Sequence, residues 1–171
     1  MFADENEQSL TAIQWFNKGY DYDIKEDYDN AIFAYTKAIE LNPQDADAYT
    51  NRGVIYDIKC EYDLAMIDYT KSIELDPQDA DSYTNRGVIY DNKGEYDLAI
   101  ADYTKAIALN PQDGDVYFNK AAACEKTGKN AEAIEAYNLF IRYAPPEDPN
   151  IENAKQQIRE LGGVILTQQS S

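Results

Sequence analysis

Histidine is absent from all 171 residues of this chain. That removes the commonest proton shuttle and the commonest transition-metal ligand. Cysteine is scarce as well. Cys60 and Cys124 cannot furnish a four-ligand zinc site, and no imidazole is present to activate either thiol. Their separation along the chain predicts no disulfide between them. Positive charge is in short supply, with 15 Lys and Arg against 32 Asp and Glu and a net charge of −17. Nucleic acid and anionic membrane surfaces need a clustered basic face, so both are excluded as partners. A basic partner would be steered favourably, although acidic faces also serve solubility. No apolar run approaches the ~20 residues of a membrane span. Residues 1–7 lack the basic start and apolar stretch of a secretory signal. A soluble chain is expected, its compartment unassigned.

Against these absences stands a strong internal repeat. Residues 46–79 and 80–113 match at 26 of 34 positions. A fixed period of that length signals stacked small units and an extended binding surface, not a single catalytic cleft. Extending the frame gives four repeats, at 12–45, 46–79, 80–113 and 114–147. Residues 1–11 are left as an N-terminal extension. In the third repeat Tyr83, Gly87 and Tyr90 share one stripe of a first helix. Gly94 suits the left-handed residue that ends it. Tyr96, Ala99, Tyr103 and Ala106 form the stripe of a second helix, which Pro111 stops. Asp113 is placed to cap the next first helix.

Small residues recur where the helices must meet. Gly19, Gly53, Gly87 and Ala121 hold one first-helix position, and Ala31, Ala65, Ala99 and Ala133 one second-helix position. A glycine inside a helix costs about 1 kcal/mol relative to alanine. Its recurrence therefore predicts that another helix presses close at that point.

On these residues the chain resembles the tetratricopeptide-repeat family. The pattern of Trp/Tyr, Gly, Tyr, Ala, Tyr, Ala and Pro is met by Trp15, Gly19, Tyr22, Ala31, Tyr35, Ala38 and Pro43. It recurs as Tyr49, Gly53, Tyr56, Ala65, Tyr69, Ser72 and Pro77, and more loosely from Tyr117 to Pro145. The usual leucine is replaced by Lys18, Arg52, Arg86 and Lys120, as in the Asn-Arg-Gly subtype. The resemblance implies an all-α, right-handed α-solenoid of four helix-turn-helix repeats. Residues 148–163 are expected to form a capping helix, with Ile151, Ala154, Ile158 and Leu161 as its apolar stripe, and 164–171 a flexible tail, the alternative being that its Val-Ile-Leu cluster docks on the fold.

Candidate sites follow the same register. Asn17, Asn51, Asn85 and Asn119 occupy one first-helix position in all four repeats. The resemblance implies that this position faces a concave groove, where a primary amide can pair with a peptide group of any sequence. The alternative reading is a polar residue that solvates the groove or bonds between repeats. Phe16, Tyr20, Thr50, Thr84 and Phe118 are expected beside the amides, with Asp57 and Asp91 along the rim. Family members that grip a C-terminal carboxylate use lysines, an arginine and asparagines. Here Phe16, Asp81 and Asn85 stand at matching positions and only Asn51 agrees, so a carboxylate clamp is not expected.

No nucleophile–base pair, phosphate loop or calcium loop is present. The expectation is a non-enzymatic scaffold, without cofactor or metal, that binds a protein or peptide carrying basic or apolar groups. The alternative is a structural module that self-associates through its ends or its tail.

Overall fold

The computed structural model describes residues 10–166. Among them are nine α-helices and no strand: α1 (Ala12–Asp23), α2 (Tyr28–Leu41), α3 (Ala46–Ile58), α4 (Tyr62–Leu75), α5 (Ala80–Asn92), α6 (Tyr96–Leu109), α7 (Gly114–Lys126), α8 (Asn130–Tyr143) and α9 (Asn150–Glu160). The chain divides into two compact units, residues 1–78 and 79–171.

Each first helix starts where a side chain takes over an orphan backbone N–H. Thr11 and Gln14 form a reciprocal capping box on α1. Asp45, Asp79 and Asp113 accept from the opening N–H groups of α3, α5 and α7. Such caps contribute about 1 kcal/mol each. The turn after each first helix places one residue at positive φ: Glu26 (58°), Cys60 (60°), Gly94 (76°) and Gly128 (72°). Glycine adopts this conformation freely, whereas Glu26 and Cys60 hold a Cβ against the backbone.

In the N-terminal unit α1 packs on α2, α2 on α3 and α3 on α4. The tight approach expected at the recurring glycine comes from a ring. A Cβ on Gly19, Gly53 or Gly87 would lie 2.7, 2.9 or 2.7 Å from the ring of Tyr35, Tyr69 or Tyr103. These three tyrosines are fully buried. A ring of this size so removed from water contributes about 1.5–3 kcal/mol, which offsets the glycine's helix penalty. In the C-terminal unit α5 packs on α6, α6 on α7, α7 on α8 and α8 on α9. The fourth repeat puts Ala121 in the glycine slot and fills its core with Tyr137 and Phe140.

The two ends refine the expectations. Residues 1–9 of the extension lie outside the described residues. Leu10 packs against the cluster around Trp15, and Thr11 caps α1. At the other end α9 buries Ala154 and Ile158, with Ile151 and Leu161 partly buried beside them. Of the residues expected as a flexible tail with a Val-Ile-Leu cluster that could dock, the first three do dock. Asn138 on α8 hydrogen-bonds the Val164 carbonyl at 3.0 Å and the Leu166 N–H at 2.7 Å. The physical reason is a buried amide that requires backbone partners. Residues 167–171 lie outside the described residues.

Candidate functional site

Helical geometry puts the recurring asparagines on the exposed side of the first helices, two residues past the packed Trp/Tyr position. In the N-terminal unit Asn17 on α1 is exposed and Asn51 on α3 is half-buried. In the C-terminal unit Asn85 on α5 and Asn119 on α7 are both half-buried. Helices α1 and α3 touch, as do α5 and α7, so each unit carries two amides on neighbouring helices. The Asn51 amide donates to the Asp47 carbonyl one turn earlier at 2.8 Å. The side-chain amides of Asn17, Asn85 and Asn119 make no hydrogen bond to any described residue.

The flanking threonines are committed differently. The Thr50 hydroxyl meets the Ala46 carbonyl at 3.2 Å and the Ser72 hydroxyl at 2.7 Å. That ties α3 to α4. Thr84 donates to the Ala80 carbonyl at 3.0 Å. These hydroxyls serve the helices, which leaves the methyl groups as the part that could meet a ligand. Phe16 and Phe118 are half-buried and edge-on to the core. Phe16 lies 5.5 Å from Tyr35, and Phe118 lies 5.7 Å from Tyr137 and 5.0 Å from Phe140. Tyr20 is more than half exposed.

A second row accompanies the amides. Burial pushes the carboxyls of Asp23, Asp57 and Asp91 above the usual aspartate range, with Lys126 partly opposing this at Asp91. The Tyr35, Tyr69 and Tyr103 hydroxyls are pushed far up, first by burial and then by the charges of Asp23, Asp57 and Asp91 respectively. None of these three hydroxyls has a hydrogen-bond partner among the described residues. In the fourth repeat the acid is Glu125, one methylene longer, and the Tyr137 hydroxyl donates to it. The acids thus stand over the buried tyrosine ends. Among the described residues no group of three or more acidic or thiol side chains could hold a metal ion. Burial raises the Cys124 thiol, which makes it a poor nucleophile.

Sequence reasoning missed the strongest polar constellation. Arg52 forks onto Asp68, with Nε to Oδ2 at 2.7 Å and Nη2 to Oδ1 at 2.8 Å. Arg86 does the same to Asp102 at 2.8 and 2.9 Å. The Arg52 Nη1 also donates to the Thr36 hydroxyl of the preceding repeat at 2.9 Å. Each guanidinium sits between two tyrosines, 5.8 Å from Tyr49 and Tyr56 for Arg52, and 5.9 Å from Tyr83 and Tyr90 for Arg86. Burial pulls the Arg52 pKa down, but hydrogen bonding to Asp68 and its charge more than offset this. Asp68 is only 1% exposed, so both ion pairs belong to the fold and not to a ligand. The signal was in the sequence, an acid sixteen residues after each arginine. In the outer repeats the cation is Lys18 or Lys120, and alanine (Ala34, Ala136) replaces the acid.

Comparison with known proteins agrees with this architecture. A tetratricopeptide-repeat model matches residues 12–45, 46–79 and 80–113, and a second model of the same description matches residues 102–135. No curated protein matches the sequence. A crystal structure of MamA protein is similar at 28% identity, covering 88% of this chain and 80% of that one, with a TM-score of 0.79. A second MamA crystal structure is 25% identical over 94% of this chain and 84% of that one, TM-score 0.75. The Arabidopsis OM64 TPR domain is 26% identical over 67% of this chain and 95% of that domain, TM-score 0.65. No helix among the described residues is long and apolar enough to cross a membrane. With all-α helix pairs throughout and family matches over most of its length, the chain belongs to the tetratricopeptide-repeat family, an all-α solenoid class whose members mediate protein–protein interaction.

Proposed function

We propose that this chain is a non-enzymatic interaction module whose first-helix faces bind an extended peptide. The observation that carries this reading is the set of amides at Asn17, Asn85 and Asn119. Each recurs at one register position, and none is hydrogen-bonded to a described residue. An extended backbone repeats its donors and acceptors at regular intervals, and a primary amide can meet both. The Asn-Arg-Gly triplets at 51–53 and 85–87 then divide the work. Asn85 faces the ligand, while in both triplets the arginine locks the repeat through its carboxylate and the glycine admits the tyrosine ring.

Acidity selects the ligand. Asp57 and Asp91 carry a burial cost in their charged state, which a lysine or arginine of the peptide would offset. Phe16 and Tyr20 offer apolar anchor points in the N-terminal unit, and Phe118 offers one in the C-terminal unit. Two amide contacts at ~0.5–1.5 kcal/mol each contribute about 1–3 kcal/mol, against several kcal/mol for ordering the peptide. The amides alone do not outweigh that cost, so the expected micromolar affinity, about −8 kcal/mol, must come from the apolar anchors and from pairing with the acids.

The test starts from a peptide selected on the intact protein from a displayed library of random 12-residue sequences. Its affinity is compared for the parent and for Asn85→Ala with Asn119→Ala. A loss of about 5- to 150-fold is expected, with helical circular dichroism and melting temperature unchanged. Equal affinities overturn the reading. Selected peptides poor in Lys and Arg would overturn the assignment of the acids.

A further inference from the structure

Asn138 is the buried polar residue whose hydrogen bonds neither the fold's repeat logic nor the peptide reading uses. It is 6% exposed on α8. Its Nδ2 donates to the Ile134 carbonyl at 3.0 Å, in its own helix, and to the Val164 carbonyl at 3.0 Å. Its Oδ1 accepts from the Leu166 N–H at 2.7 Å. One side chain thus meets the donor and the acceptor of an extended segment, as a neighbouring strand would. The residue between them, Ile165, packs into the apolar cluster of the C-terminal unit, whereas Val164 and Leu166 are 73% and 67% exposed. Alternation of this kind is the mark of a strand read along one edge.

The segment is also gated by its leading residue. A side chain on Gly163 would meet the Ile134 side chain at 2.7 Å and force it to shift, so glycine lets the backbone approach α8 without displacing it. Gly162 holds φ at 76° and has nothing within 4 Å of where its Cβ would stand. Gly162 is therefore the pivot between α9 and the bound segment, with its N–H on the Arg159 carbonyl at 3.0 Å and that of Gly163 on the Ile158 carbonyl at 2.8 Å.

We infer that the face of α8 around Asn138 is a strand-reading site that also takes residues 163–166 of a second copy of this chain. The site already selects this sequence: a leading glycine, one inward β-branched residue and two outward apolar ones. Every copy carries both the site and its matched segment, and rotation at Gly162, with nothing near its Cβ position, lets the segment leave. Exchange between copies reproduces each hydrogen bond without a new contact. Within one chain the segment competes at an effective concentration on the order of millimolar, so the parent is monomeric at ordinary dilution. The inference stands apart from the peptide reading, since it uses none of the first-helix amides.

The test uses full-length chains and light scattering. Gly162→Pro locks φ near −65°, the wrong side for the fold-back, while leaving Asn138 and residues 163–166 intact. This variant is expected to raise the dimer fraction at about 100 μM at least tenfold over the parent. Adding Asn138→Leu should return it to monomer, and the milder Asn138→Asp should do so in part. The Leu166 amide should be protected from hydrogen exchange in the parent and in the dimer, and exposed after Asn138→Leu. Circular dichroism checks that each variant keeps its helices. A Gly162→Pro chain that stays monomeric, or a dimer that survives Asn138→Leu, overturns the inference.

Discussion

Replacing Asp68 by alanine should destabilise the protein far more than replacing Asp68 and Arg52 together by alanine and lysine. The side chains of Arg52 and Asp68 are 15% and 2% exposed and joined by two hydrogen bonds of 2.7 and 2.8 Å. Unit charges ~4 Å apart attract by about 4 kcal/mol at an effective dielectric of ~20. Removing one partner of such a pair leaves a guanidinium half-stranded between Tyr49 and Tyr56, and typically costs about 3–5 kcal/mol. A lysine in that place is less constrained, because its stem can lie along the rings while the ammonium reaches water. The chain already contains this arrangement. Lys18 stands opposite Ala34 in sequence register, with its ammonium 5.0 Å from the Trp15 ring centroid. The double replacement should therefore cost less than about 2 kcal/mol, giving a coupling of at least ~1 kcal/mol, to which any cost of Arg52→Lys alone adds. Urea unfolding of the parent, Asp68→Ala, Arg52→Lys and the double variant measures it. A coupling below about 0.5 kcal/mol, or a double variant worse than Asp68→Ala, would refute the reasoning.

Two further outcomes follow from the backbone and the acids. Cys60 holds φ at 60°, so Cys60→Gly should stabilise by about 1 kcal/mol, read as a raised melting temperature; a lowered one contradicts the strain. Burial holds the Asp57 carboxyl above its unfolded-state pKa, so the folded chain binds that proton more tightly. Its contribution is fully present below the unfolded pKa and is lost as pH rises through the folded one. Asp57→Asn should therefore flatten that limb of the stability–pH curve and leave the protein more stable at neutral pH; a limb as steep as the parent's contradicts the sign.

Much of the fold was legible because it is written in small residues and stops. The glycine–tyrosine contact, the aspartate caps and the helix-ending glycines each recur every 34 residues, and each answers a local physical demand. The forked ion pairs escaped because their signal is relational. Arg52 alone looks like a surface cation, and Asp68 alone a solvated acid; only their joint presence in the middle repeats, and joint absence in the outer ones, reveals the pairing. Thr50 is legible as a neighbour of the amides, but the bond from its hydroxyl to Ser72 joins two helices, and helical periodicity does not reveal it. Where the segment after α9 docks is not legible, because VIL following two glycines reads equally as a frayed end. What holds it is one asparagine 26 residues upstream, in a slot that the other repeats fill with Thr36, Thr70 and Thr104.

The arginine that closes its own hairpin also reaches backwards. Because Nη1 of Arg52 ends on the Thr36 hydroxyl, peeling the leading hairpin away strips a buried cation of an acceptor. The front of the stack is thereby discouraged from fraying one hairpin at a time. Desolvating charge becomes less costly on warming, so this backward clasp tightens in relative terms as heat loosens the rest. Melting at that end should then run as a zipper with two teeth locked together, opening late and in one step.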